Sequence, residues 1–142
     1  MIYTTMTKKA LKLSFEAHKN QIDKSGIPYV YHPFHIAEQM NDENTTIVAL
    51  LHDVVEDTDI GFNELTEMGF SNEIIEALKL LTHDDSVPYE QYIDMIKNND
   101  IAKAVKLADL RHNSDLTRLD NVDEKALKRA EKYKKSINTL LG

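Results

Sequence analysis

Cysteine is absent from the 142-residue chain. Disulfides and thiolate metal sites are therefore excluded, and a reducing, cytoplasmic setting is the expectation. Long apolar runs are missing as well. The opening stretch MIYTTMTKKALKLSFEAHK lacks an extended apolar core and reads as the start of a helix, neither a signal peptide nor a membrane span. Cations are in the minority, with 17 Lys and Arg against 24 Asp and Glu and a formal net charge of −7. That balance argues against general nucleic-acid binding, which needs a basic surface to displace phosphate counterions. A small phosphorylated ligand stays possible, because a pocket can be locally basic and a bound divalent cation would reverse the local sign.

Only four glycines and three prolines interrupt the chain. Its apolar residues recur at helical rather than alternating spacing, and no stretch reads as a strand. An amphipathic helix is expected over about 5–22, followed by a loop through DKSGIPYVYHP. Pro33 suits the first turn of a second helix, FHIAEQM, which would leave His32 at its boundary. A third helix, capped by Asn44 or Thr45, should carry TIVALLHDVVED to about Asp57. Short helices are expected at FNELTEM, at the Ser71-capped NEIIEALKLLTH, and at SVPYEQYIDMIKN. Two longer ones, DIAKAVKLADLRHNSDL and DEKALKRAEKYKKSINTLL, complete the chain. With no repeat, linker or low-complexity tract, the reading is one all-α domain spanning 1–142.

What is abundant is charge at one place. VALLHDVVEDTD follows a wall of aliphatics with His52, Asp53, Glu56 and Asp57 in close order. His52 and Glu56 are four apart, as are Asp53 and Asp57, and such pairs share a helix face. Imidazole with carboxylate suits a cation such as Mn, Fe, Co, Ni or Zn. Two ligands are too few, and His32 and Asp109 are the further donors on offer. Asp109 lies in a mostly apolar run, where an unpaired carboxylate is costly to bury. Each residue also has an ordinary role open to it: His52 as a hydrogen-bonded core histidine, Asp109 paired with Lys106 or Arg111, Glu56 and Asp57 solvated. The acidic pair at a helix C-terminus runs against the helix dipole, which favours function there. His18, His35, His83 and His112 read mainly as structural, with His35 and His112 placed to support site residues. In KALKRAEKYKKS, Arg129 and Tyr133 form an i,i+4 pair.

Three segments in order, AHKNQIDKSGIPYVYHP, ALLHDVVEDT and VKLADLRHN, resemble the HD superfamily of metal-dependent phosphohydrolases. More narrowly they resemble the hydrolase domain of RelA/SpoT-type proteins and stand-alone small alarmone hydrolases. The resemblance implies an HD-domain helical bundle with His32, His52, Asp53 and Asp109 as ligands of one divalent metal, Mn²⁺. It implies that Glu56 and Asp57 position and activate water, and that Lys24, Asn113, Arg129 and Tyr133 contact a small-molecule nucleotide. The implied reaction removes the 3′-pyrophosphate of ppGpp or pppGpp. Hydrolysis of another nucleotide, or non-catalytic nucleotide binding by an HD module, are the alternatives. Two positions depart from the family pattern. Asp23 stands where a base-packing Arg is usual, which should weaken purine binding and repel phosphate. LADLRHN exchanges Leu and Arg relative to LADRLHN.

Overall fold

The computed structural model describes residues 1–142. Nine α-helices succeed one another: α1 (Thr5–His18), α2 (Tyr31–Glu38), α3 (Glu43–Leu51), α4 (Val54–Asp57), α5 (Phe62–Glu67), α6 (Asn72–Leu81), α7 (Tyr89–Ile96), α8 (Asp100–Asn113) and α9 (Glu124–Leu141). A 3-10 turn, Leu116–Arg118, joins the last two. None is long and apolar enough to cross a membrane.

The centre of the bundle is α3. Every residue from Thr45 to Leu51 is buried, so the helix is apolar on all sides and must be enclosed. It packs against α1, α2, α6 and α8. Leu50 and Leu51 are wholly inaccessible, and removing each from water contributes about 1.5–3 kcal/mol. A strongly amphipathic α9 closes the bundle against α7 and α8.

Local chemistry accounts for most helix starts. Ser71 accepts from the Ile74 N–H at the head of α6, as its position suggests. At α3 the cap is Asp42, not Asn44 or Thr45. Its carboxylate accepts from the Thr45 N–H at 2.8 Å. NDENTT offers several capping residues in a row, and only the backbone course selects among them. The helix expected over 5–22 ends instead at His18. Beyond it, Asp23 holds a tight loop by accepting the N–H groups of Ser25 and Ile27, and Gly26 takes the left-handed turn at φ +79°. α2 begins at Tyr31, so His32 lies inside its first turn.

The most consequential difference is within VALLHDVVEDTD. The expected continuous helix to Asp57 is interrupted at His52 and Asp53, which form a turn between α3 and the one-turn α4. Asp53 sits near φ −99°, ψ −5°. The interruption turns both side chains inward, and so the shared helix face drawn from i,i+4 spacing does not describe His52 and Glu56. A single turn also has almost no macrodipole. The dipole penalty expected for Glu56 and Asp57 is therefore absent.

Candidate metal centre

Three elements converge on one point: the first turn of α2 with His32, the end of α3 with His52 and Asp53, and α8 with Asp109. His32, His52 and Asp109 are all buried, with ligating atoms within 4.8 Å of one another. His32 Nε2 lies 2.8 Å from Asp109 Oδ1 and 3.9 Å from Asp53 Oδ2. His52 Nε2 lies 3.1 Å from Asp53 Oδ2 and 3.5 Å from Asp109 Oδ1. Two imidazole nitrogens and two carboxylate oxygens thus face one another across a few ångströms.

The tautomer of His52 makes this arrangement informative. Its Nδ1–H donates to the Ala49 carbonyl at 2.6 Å. Nε2 is then left buried with no hydrogen-bond partner. Facing Asp53 and Asp109, Nε2 is favourably placed only with positive charge at that point, either a proton or a metal cation in its place. Burial opposes charge on His52, yet Asp53 and Asp109 together hold its pKa well above the usual 6.5. Burial likewise opposes charge on Asp53, but His52 draws its pKa down to about 2. The cluster is built to contain positive charge, and its N₂O₂ donor set fits a divalent cation of the Mn-to-Zn series.

The surrounding groups hold those donors in place. Tyr29 donates its phenol to Asp53 Oδ2 at 2.5 Å. Burial and the Asp53 charge raise the phenol pKa, keeping it protonated. Asp109 Oδ2 accepts from Lys106 at 3.0 Å, while Asn113 donates to Oδ1 at 3.1 Å. Pairing with Lys106 and ligation were alternatives in the sequence; the pairing occupies Oδ2 and leaves Oδ1 toward the histidines. Asp109's pKa is held well below the carboxylate range, with Lys106 overcoming the burial penalty. His32 Nδ1 stands 2.7 Å from His112 Nδ1. Burial, then the Arg118 charge, push the His112 pKa down to about 4. A neutral His112 accepts the His32 Nδ1–H and frees Nε2 for ligation. His35 packs on the His112 ring at 4.2 Å.

Lys24, Asn113, Arg129 and Tyr133 line one cavity of about 340 Å³, whose wall includes Tyr29 and His32. A second cavity of about 550 Å³, lined by His35 and His112, shares Asp23, Tyr29, His32 and Arg118 with the first. Glu56 and Asp57 are placed differently. Both are exposed on α4, and Glu56 Oε1 accepts the backbone N–H of His83 at 2.9 Å. Asp57 is near enough to Asp53 to feel its charge: partial burial, then that repulsion, raise the Asp57 pKa. The Leu–Arg exchange has a simple outcome, with Leu110 in the core and Arg111 in solvent.

Sequence reasoning passed over Tyr29 and Arg118. Tyr29 stands three residues before His32 and had a local signal in PYVYHP. Arg118 had none, because its place depends on contacts almost a hundred residues apart.

The geometry is that of a helical bundle with a His/His/Asp cluster able to hold a metal ion. A solved structure of a metazoan ortholog of SpoT that hydrolyzes ppGpp superposes with a TM-score of 0.81, covering 100% of this chain and 89% of that one at 24% identity. No family model matches the chain. It is 34% identical over 129 residues to the guanosine-3′,5′-bis(diphosphate) 3′-pyrophosphohydrolase MESH1 of Danio rerio, covering 81% of this chain and 71% of that protein. It is also 34% identical over 135 residues to a GTP pyrophosphokinase of Myxococcus xanthus, of which it spans only 17%. The chain belongs to the MESH1 family of pyrophosphohydrolases.

Proposed function

We propose that the chain is a metal-dependent phosphohydrolase that removes the 3′-pyrophosphate of ppGpp or pppGpp, yielding GDP or GTP and pyrophosphate. The observation that carries this reading is the unpartnered His52 Nε2, facing two carboxylates beside a cavity lined by Lys24, Arg129 and Tyr133. His32, His52, Asp53 and Asp109 would hold the ion, with Mn²⁺ the proposed native metal and the cytoplasm the proposed location. When bound, the ion polarises a phosphoryl oxygen and makes water more acidic.

The residues divide the remaining work. Lys24 and Arg129 offset substrate charge, and Tyr133 supplies an aromatic face and a hydroxyl within the same cavity. Asn113 bonds Asp109 while lining the cavity, so it links ligand orientation to substrate contact. Asp57, with its raised pKa, takes a proton from the attacking water. Glu56, anchored on the His83 N–H, fixes the turn that presents Asp57 and orients that water. The water oxygen bonds to the phosphorus attached at O3′, the P–O3′ bond breaks, and the proton taken by Asp57 passes to the ribose oxygen, leaving a 3′-hydroxyl and free pyrophosphate.

The test is an assay of purified chain with Mn²⁺ over ppGpp, pppGpp, GTP and dGTP, with pyrophosphate and orthophosphate measured separately. Pyrophosphate release from ppGpp and pppGpp is expected. Turnover confined to GTP or dGTP would overturn the substrate, and no turnover of any would overturn the enzyme.

A further inference from the structure

Asp23 invites a simple expectation: a carboxylate in a phosphate-binding cavity repels its ligand. The structure places that charge in a different context. Asp23 Oδ1 accepts the N–H groups of Ser25 and Ile27 at 2.8 and 3.0 Å, so it is occupied in shaping its own loop. Its Oδ2 lies 3.8 Å from Arg118 Nη2.

Arg118 is held from three directions. Its Nη1 donates to the His112 carbonyl at 3.0 Å, and its own carbonyl accepts the Ser25 hydroxyl at 2.8 Å. Asp23 provides the third restraint. The guanidinium side chain keeps 25% of its surface exposed, and that surface lines both cavities alongside His32. Lys24, by contrast, is an exposed side chain with no ion-pair partner, free to move. Arg118 is the cavity cation whose position is already fixed before any ligand arrives. A pre-placed planar fork loses less entropy on meeting a phosphate than a mobile ammonium does.

We propose that Arg118, aimed by Asp23, grips a phosphate of the nucleotide in this cavity, so that Asp23 assists anion binding instead of opposing it. The proposal deepens the phosphohydrolase reading and rests on it. Asp23 acts as a positioning residue; Arg118 is the group that touches the ligand.

The experiment uses the metal-loaded full chain and three variants: Arg118→Ala, Arg118→Lys and Asp23→Asn. Steady-state kinetics with ppGpp are paired with calorimetric titration of inorganic pyrophosphate and with thermal unfolding. Arg118→Ala should raise KM about tenfold, proportionately more than it lowers kcat, and weaken pyrophosphate binding similarly. Arg118→Lys should recover part of the loss, because the charge returns without the fork. Asp23→Asn keeps the loop acceptor but loses the charge, and should raise KM by about threefold. Unchanged KM and pyrophosphate affinity in a folded Arg118→Ala chain would overturn the proposal, as would a lowered KM in Asp23→Asn. Should Arg118→Ala fail to fold, the other two variants decide by the same criteria. If wild type fails to turn over ppGpp, the functional reading falls, and the pyrophosphate titrations still decide Arg118: equal affinity in wild type and Arg118→Lys refutes it.

Discussion

The two walls of the site are built on opposite terms. On the metal side, His32, His52 and Asp109 are buried, and every donor has a second contact that sets its orientation. On the outer side, Lys24 is exposed and Arg129 half-buried, long side chains on a loop and a closing helix. Burial of charge is tolerable only when each group is paired, so the inner wall admits little change. Solvated cations carry no such constraint. A site arranged this way leaves its outer wall free to vary while the inner cluster stays the same.

Breaking the inner wall should have the largest effect. Asp109→Ala removes a proposed ligand and leaves the largely enclosed Lys106 without its partner. We expect loss of bound metal, a drop in kcat/KM on the order of 10³-fold, and a stability loss of about 3 kcal/mol. Metal analysis, kinetics and denaturant unfolding check the three together, and retention of metal would remove Asp109 from the ligand set. The next effect separates water activation from metal holding. Asp57→Asn should lower kcat about 10²- to 10⁴-fold with metal content unchanged. Full activity in that variant would eliminate Asp57 as the base.

A smaller effect probes the supporting contacts. Tyr29→Phe deletes the hydrogen bond to Asp53 Oδ2 and should weaken metal affinity about tenfold, measured by chelator competition. Equal affinity would mean that Asp53 is held without Tyr29. The smallest effect is a pH dependence. The His112 pKa is depressed from 6.5 to about 4 in the folded chain. Its neutral form therefore stabilises the fold fully above the unfolded value of 6.5, and that contribution fades as pH falls toward 4. His52, whose pKa is raised, acts in the opposite sense: its contribution in metal-free protein is present below 6.5 and lost as pH rises through the raised value. Against His112→Gln, the wild-type unfolding midpoint should therefore fall between pH 6.5 and 4. Parallel curves for the two proteins would contradict a neutral His112.

Helix content and type were legible because apolar spacing is a local property, and α6 with its Ser71 cap shows how far local signals reach. Boundaries were less so. The helix carried past His18 overran because Ile22, four residues on, continues an apolar rhythm, yet Ile22 is exposed and bridges to Pro28 across the loop. The break at His52–Asp53 had no Gly or Pro to announce it. It arises from the convergence of α2 and α8 on the end of α3, which no window of sequence contains.

By itself, the sequence determined the all-α class, the absence of thiol chemistry, and a set of imidazoles and carboxylates too concentrated for an ordinary helix end. Those follow from residue identity and spacing, which survive without coordinates. Only the tertiary structure decided that His32, His52 and Asp109 meet at ligating distance, that Lys106 and His112 orient them, and that Asp23 faces Arg118. Such contacts join residues dozens of positions apart. They exist only once burying the apolar faces of α3, α2 and α8 has brought those helices together.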